Sequence, residues 1–370
     1  MICRAKTAIA TLALFGIAWA VAQAPAFRAA AQESAPSLKS PGAPQQAGGP
    51  QEPGAAPDQR GKIVSNVQLV VVPVTVKDSR GELVGDLQGG DFRLLEDGVE
   101  QHISLFSADA TLLSTVILID EGMKQRTAQE LQKSLVAMSG GFSKSDEVAL
   151  SRFDAFYSPI LDFTTDHDQL ITALKRVDLS SSEAGIGSAL GTTGSPINTQ
   201  QLPGSAAGAP QPVRVTVRKR IDDAVYEAAE ALRDRDSSRR KLILLVSNGI
   251  NAKNNTHSYD ETLKLLLSSN ISVYSIGVEA PIGVPLVSRR FGALASYARA
   301  TGGDIYYSSG EADLSRLYAQ VGEQARHQYT LGYYSSGTDA RKGYHSVEVR
   351  VRREAVTVMC RDGYYPVARP

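Results

Sequence analysis

The chain has 370 residues, 42% hydrophobic content and no formal net charge, with 39 basic against 39 acidic side chains. That length supports one large domain or two moderate ones, and the balanced charge gives no electrostatic reason to expect nucleic acid as a partner. The two cysteines exclude a disulfide framework.

Met1 to Ala22 reads as a secretory signal. Arg4 and Lys6 give it a positive start, Thr7 to Val21 form an apolar core, and Ala20-Val21-Ala22 supplies a small-x-small cleavage pattern. The core is short for a membrane helix, so the mature chain is expected to carry no transmembrane segment. It is expected to be exported, whether periplasmic, cell-surface or extracellular. Cys3 precedes the apolar core and is not a lipoprotein cysteine, which leaves Cys360 as the sole mature thiol. Cys360 is either a buried structural residue or a reactive one; its alternation with Val356 and Val358 favours burial. Residues 23–62, rich in Ala, Pro, Gly, Gln and Ser, bury too little to offset chain entropy and are expected to form a flexible tether.

Residues 63–108 change to a β pattern. Val67 to Val76 is β-rich, Asp78-Ser79-Arg80-Gly81 has turn chemistry, and Asp91 to Glu96 enters an Asp97-Gly98 turn before Ile103 to Phe106. These strands are too few for an independent sandwich. Partners are available in residues 329–370: Tyr329 to Tyr334, the alternating Tyr344 to Arg352, Thr357 to Arg361, and Gly363-Tyr364-Tyr365. The two ends read as one β-sandwich-like domain interrupted by the middle of the chain; the alternative is two separate β appendages.

Residues 112–328 alternate between strand and helix. Thr115 to Ile119 is a β-branched apolar run, suited to a strand buried on both faces, that ends in Asp120-Glu121-Gly122-Met123-Lys124. A helix follows over Gln125 to Met138, then strands at Asp146 to Arg152 and Ser158 to Phe163, and a helix over Asp166 to Val177. Residues 180–215 break the rhythm and read as a flexible insertion. Arg218 to Arg233 is a helix, and Lys241 to Val246 a second buried strand, ending in Ser247-Asn248-Gly249. Helices at Tyr259 to Leu267, Gly292 to Ala300 and Leu314 to Arg326 then enclose strands at Ser272 to Val278 and Asp304 to Tyr307. The alternation predicts an α/β fold with a parallel, doubly wound, Rossmann-like sheet. Ligands of such sheets bind at the carboxyl ends of the strands, where Asp120 falls.

The strand ending in Asp120 resembles the first strand of a von Willebrand factor A (vWA) domain, and the likeness extends over residues 112–328. With Val72 to Val76, Asp91-Phe92, Asp97-Gly98, Tyr329 to Tyr334 and Gly363 to Tyr365, the layout is similar to the acidobacterial-type VWFA-related secreted proteins. The resemblance implies a divalent-cation site built from a D-x-S-x-S turn, a distant threonine and a second aspartate. At those positions this sequence has Asp120, Gly122, Lys124, Lys219 (four residues before Asp223-Ala224) and Asn248, so only Asp120 is unchanged. Mg²⁺ wants about six oxygens in near-octahedral geometry, and this set does not offer them. Lys124 and Lys219 either point into solvent or bring an ammonium to the cation's place beside Asp120.

These residues lead to the expectation of a secreted, non-catalytic module that binds a protein ligand and needs no cofactor. Its ligand face would comprise Asp120, Glu121, Gly122, Lys124, Lys219, Ser247 and Asn248. The alternative is a metal-dependent adhesion domain that keeps Mg²⁺ or Mn²⁺ through Asp120 and Asn248. The sequence contains no P-loop, G-x-S-x-G or H-E-x-x-H motif. His102, His167, His257, His327 and His345 are scattered without metal spacing and read as ordinary surface or edge histidines. Asp166-His167-Asp168 reads as a helix cap. Arg214, Arg218, Lys219 and Arg220 read as a solvated helix entry.

Overall fold

The computed structural model describes residues 69–179, 219–278, 292–308, 310–335 and 343–366; the signal (1–22), the tether (23–62) and the insertion (180–215) lie outside the described residues. In chain order the strands are β1 (Leu69–Lys77), β2 (Phe92–Glu96), β3 (Val99–Gln101), β4 (Ile103–Ser107), β5 (Leu113–Asp120), β6 (Glu147–Phe153) and β7 (Tyr157–Thr164). They continue as β8 (Arg240–Ser247), β9 (Ile271–Gly277), β10 (Ile305–Tyr307), β11 (Tyr329–Tyr334), β12 (His345–Val351), β13 (Thr357–Cys360) and β14 (Gly363–Tyr364). The helices are α1 (Gln125–Ser134), α2 (His167–Arg176), α3 (Ile221–Arg233), α4 (Tyr259–Ser268), α5 (Gly292–Ala300) and α6 (Glu311–Arg326).

A six-stranded sheet in the order β10-β9-β8-β5-β6-β7 forms the α/β body. Every residue of β5, β8 and β9 is buried, as the apolar runs Val116 to Ile119 of β5 and Leu242 to Val246 of β8 require of strands covered on both faces. Helices lie on both sides. Leu131, Leu317 and Tyr318 pack on one face of the sheet, and Val225, Leu232 and Leu266 on the other. This is a doubly wound vWA-type arrangement with one departure from the expected parallel sheet: β7 runs antiparallel to β6. The connection between them spans only residues 154–156, far too short for the crossover that a parallel pair needs.

Both ends of the chain build the second core. One four-stranded sheet has the order β13-β1-β11-β4, the other β14-β12-β2-β3. β1 pairs antiparallel with β11 and β13, and β2 with β12, so each sheet mixes strands from before and after the α/β body. Val72, Val74, Leu94, Leu331 and Tyr333 fill the space between the sheets. Partly buried Cys360 packs against this core, and burial pushes its thiol up to about 11. The sandwich is tied to the body by Gln328, whose Nε2 donates to Thr75 Oγ1 at 2.9 Å. Arg361 spans the same junction, donating to Asn270 Oδ1 and Val71 O, each at 2.6 Å. Among the described residues no helix is long and apolar enough to cross a membrane.

Three helix boundaries differ by three residues or more from the sequence reading, and the simplest is the last helix, which begins at Glu311 and not at Leu314. The first helix stops at Ser134, and Leu135–Gly141 tightens into a 3-10 segment. There the chain meets α6 backbone to backbone: a Cβ on Gly322 would lie 2.0 Å from Gly141 O. The helix expected from Arg218 begins at Ile221, because Arg220 is in a non-helical conformation (φ −113°, ψ 79°).

Asp146 joins three parts of the α/β body. Its Oδ1 accepts from Leu113 N at 2.8 Å, its Oδ2 accepts from Ser143 N at 2.7 Å, and the same oxygen pairs with Arg326. Burial acts to raise its carboxyl, but the backbone donors and Arg326 outweigh it and hold the group below the usual carboxylate range. A depressed folded pKa stabilises the protein above the unfolded value of about 3.9, and that contribution is lost as pH falls through the lower folded value. Asp146→Ala should cost about 3 kcal/mol at neutral pH, since it strands buried donors and an arginine. Urea melts from neutral to acid pH should show the difference between wild type and variant shrinking towards the acid end.

Candidate functional site

In the sheet order, β5 continues to β6 on one side while β8 continues to β9 on the other. The crevice beyond the carboxyl ends of β5 and β8 is therefore the topological switch point, the usual ligand position in open α/β sheets. Asp120 ends β5 and Ser247 ends β8, with Asn248 next in the chain.

The structure brings Asp120, Gly122, Lys219, Ser247 and Asn248 together. Asp120 is fully buried. Its Oδ1 accepts from Gly122 N at 2.8 Å; its Oδ2 accepts from Ser247 Oγ at 2.6 Å and from Lys219 Nζ at 3.4 Å. The same ammonium donates to Asn248 Oδ1 at 2.9 Å. Ser247 Oγ in turn accepts from Gly249 N at 3.0 Å. Burial raises the Asp120 carboxyl above its ordinary value, opposed in turn by the Lys219 charge and by the bonds from Ser247 and Gly122.

Lys219 is not part of a solvated basic entry, as the run around it suggested; it is 4% exposed and takes the other course open to it, with its ammonium beside Asp120. The backbone on either side is pinned, with Ala252 N donating to Lys219 O at 2.7 Å and Arg220 N to Asp154 O at 2.9 Å. Its stem passes directly over Gly122, where a Cβ would lie 2.3 Å from Lys219 Cε and 3.1 Å from Cδ. A serine at position 122 would force the Lys219 stem to shift from this path. Glu121 pairs with Arg152 at 2.6 Å, and Lys124 is exposed at the N-cap of α1.

Sequence reasoning missed the residues that frame the site. Arg220 gives α3 no side-chain cap; instead Asn251 Oδ1 accepts from Ile221 N at 3.0 Å and Asn255 Oδ1 from Asp223 N at 3.3 Å. Asp223 answers by accepting from Thr256 N and His257 N, each at 2.7 Å. The asparagine-rich run 251–255 was the available signal: such residues satisfy helix-start donors across space as well as along the chain. Asp222, Asn251, Lys253, Asn255, His257 and Glu261 line an open polar cleft of about 580 Å³. Phe156 and Ile250, 75% and 45% exposed, lie in the turns that follow β6 and β8.

No family model matches the sequence, and no curated protein matches it. Solved structures do. The proximal thread matrix protein 1 of the mussel byssus is similar at 10% identity and a TM-score of 0.40, covering 60% of this chain and 49% of that one. This chain thus spans about half the length of the mussel protein. BatB from Bacteroides thetaiotaomicron is similar at 14% identity and a TM-score of 0.38, covering 58% of this chain and 98% of that one. A von Willebrand factor type A protein from Catenulispora acidiphila is similar at 10% identity and a TM-score of 0.42, over 80% of this chain and 66% of that one. The fold assignment rests on the strand order and connections described above.

Proposed function

We propose that the protein is an exported, non-catalytic interaction module of vWA type whose ligand face works without a divalent cation, as part of a layout like that of the acidobacterial-type VWFA-related secreted proteins. The observation that carries this reading is Lys219 Nζ between Asp120 Oδ2 and Asn248 Oδ1. A tethered ammonium there supplies the positive charge that an ion would bring. It also opposes a second cation by about 4 kcal/mol at ~4 Å and an effective dielectric of ~20. The acids of this face are engaged in structural roles: Asp120 with Lys219, Glu121 with Arg152, and Asp223 with backbone donors. That pattern suits a rigid docking surface for a protein ligand better than acid–base chemistry. Export rests on the signal-like stretch Met1 to Ala22.

The test is a calorimetric titration of Mg²⁺ and Mn²⁺ into the full chain, repeated with Asp120→Ala. The expected result is no saturable heat that depends on Asp120. Sub-millimolar binding abolished by Asp120→Ala would favour the metal-dependent adhesion reading through Asp120 and Asn248.

A further inference from the structure

His345 departs from the expectation that every histidine lies at a surface or an edge. It opens β12 and is 4% exposed. Its ring stacks on Tyr364, with centroids 5.4 Å apart and planes at 21°. Its Nδ1 lies 2.9 Å from Asp97 Oδ2 and 3.2 Å from Glu96 Oε1. One donor atom from each of the three residues falls within 4.8 Å of the other two.

The surroundings of Glu96 supply a separate observation. Its Oε1 is well served, accepting from Ser335 Oγ and Tyr364 Oη, each at 2.9 Å. Its Oε2 is buried, and among the described residues no donor reaches it. A buried carboxylate oxygen left without a partner is costly, and such groups commonly mark an ion or a water.

We propose that Glu96, Asp97 and His345 form a site for a divalent transition-metal ion of the Zn²⁺ or Co²⁺ type, which clamps the β2–β3 turn to the start of β12. The donor set is one imidazole nitrogen and two carboxylate groups, which suits these ions better than Mg²⁺ or Ca²⁺. Bonds of about 2.0–2.1 Å in a tetrahedral site place ligand atoms about 3.3–3.4 Å apart; the observed 2.9 and 3.2 Å need only a small expansion. Three protein ligands leave a fourth position for water. Asp97 retains 28% side-chain exposure, which gives the ion a way in. Because β2 precedes the α/β body and β12 follows it, the ion would join the two ends of the chain. An imidazolium held between two carboxylates is the competing account of the same geometry. It satisfies Nδ1 but, like an ion bound through Oε1 alone, leaves Glu96 Oε2 unpartnered; an ion held by both carboxylate oxygens of Glu96 would engage it.

The experiment uses the full chain without a polyhistidine tag. Zn²⁺ and Co²⁺ are titrated while heat, melting temperature and, for Co²⁺, visible absorption are followed. The expected result is saturable binding of one equivalent, a rise in melting temperature, and a ligand-field spectrum of a site with fewer than six ligands. Asp97→Asn, on a partly exposed side chain, should weaken affinity at least about tenfold, since even outer-shell changes cost that much. Asp120→Ala should leave the affinity unchanged, which separates this site from the ligand face. Absence of saturable micromolar binding, or binding that Asp97→Asn leaves intact, would overturn the proposal.

Discussion

Lys219→Met should destabilise the protein by about 3–5 kcal/mol at neutral pH, the usual consequence of removing one partner from a buried ion pair. Methionine keeps much of the lysine's length and fills the path over Gly122, so the loss is electrostatic and not a cavity effect. Asp120 would keep Ser247 Oγ and Gly122 N but lose the one cation that reaches it among the described residues. Burial already raises the Asp120 carboxyl, and the Lys219 charge opposes that rise, so the variant's carboxyl should move higher still. With a raised folded pKa, the folded state keeps a proton that the unfolded state has released. Stability then falls as pH rises from the unfolded value of about 3.9 towards the folded one. The deficit of Lys219→Met relative to wild type should therefore be smaller near pH 4 than at pH 7, and Asp120→Asn in the same background should recover part of it. Chemical denaturation at both pH values measures this. A deficit under about 1 kcal/mol, or one independent of pH, would mean that the pair contributes little to stability.

The second expected result concerns position 122. Gly122→Ser alone should cost about 1–3 kcal/mol as overpacking, because its Cβ would lie 2.3 Å from a lysine carbon whose stem is buried. Combining it with Lys219→Thr removes the obstruction and adds two hydroxyls beside Asp120. The double variant should be more stable than the sum of the single effects by about 0.5–3 kcal/mol, the range for residues in contact. It should also be the form in which Mn²⁺ raises the melting temperature in an Asp120-dependent way. Strict additivity, or equal Mn²⁺ response in wild type and double variant, would show that glycine 122 and lysine 219 are not a coupled replacement for the cation.

Local sequence determined the elements. The apolar runs of β5 and β8 announce strands buried on both faces, and the alternation of strand and helix announces a doubly wound sheet. That Asp120 and Ser247-Asn248 fall at the carboxyl ends of buried strands was legible, because position at the end of such a strand is a property of the chain itself. The antiparallel course of β7 was also within reach, since residues 154–156 are too few for a crossover.

Side-chain destination was not legible, because burial is set by residues far away in the chain. The sequence left Lys219 either solvated or beside Asp120; it is buried because Asp120 and Asn248, remote in sequence, offer it two acceptors. Gly122 reads as a lost serine, and only the path of the Lys219 stem shows why a side chain is excluded there. His345 reads as one of five scattered histidines until β2 and β12 pair and carry Glu96 and Asp97 to its Nδ1. Which residues a chain contains is local information, whereas which charge is desolvated beside which partner is decided only when strands from opposite ends of the chain close over it.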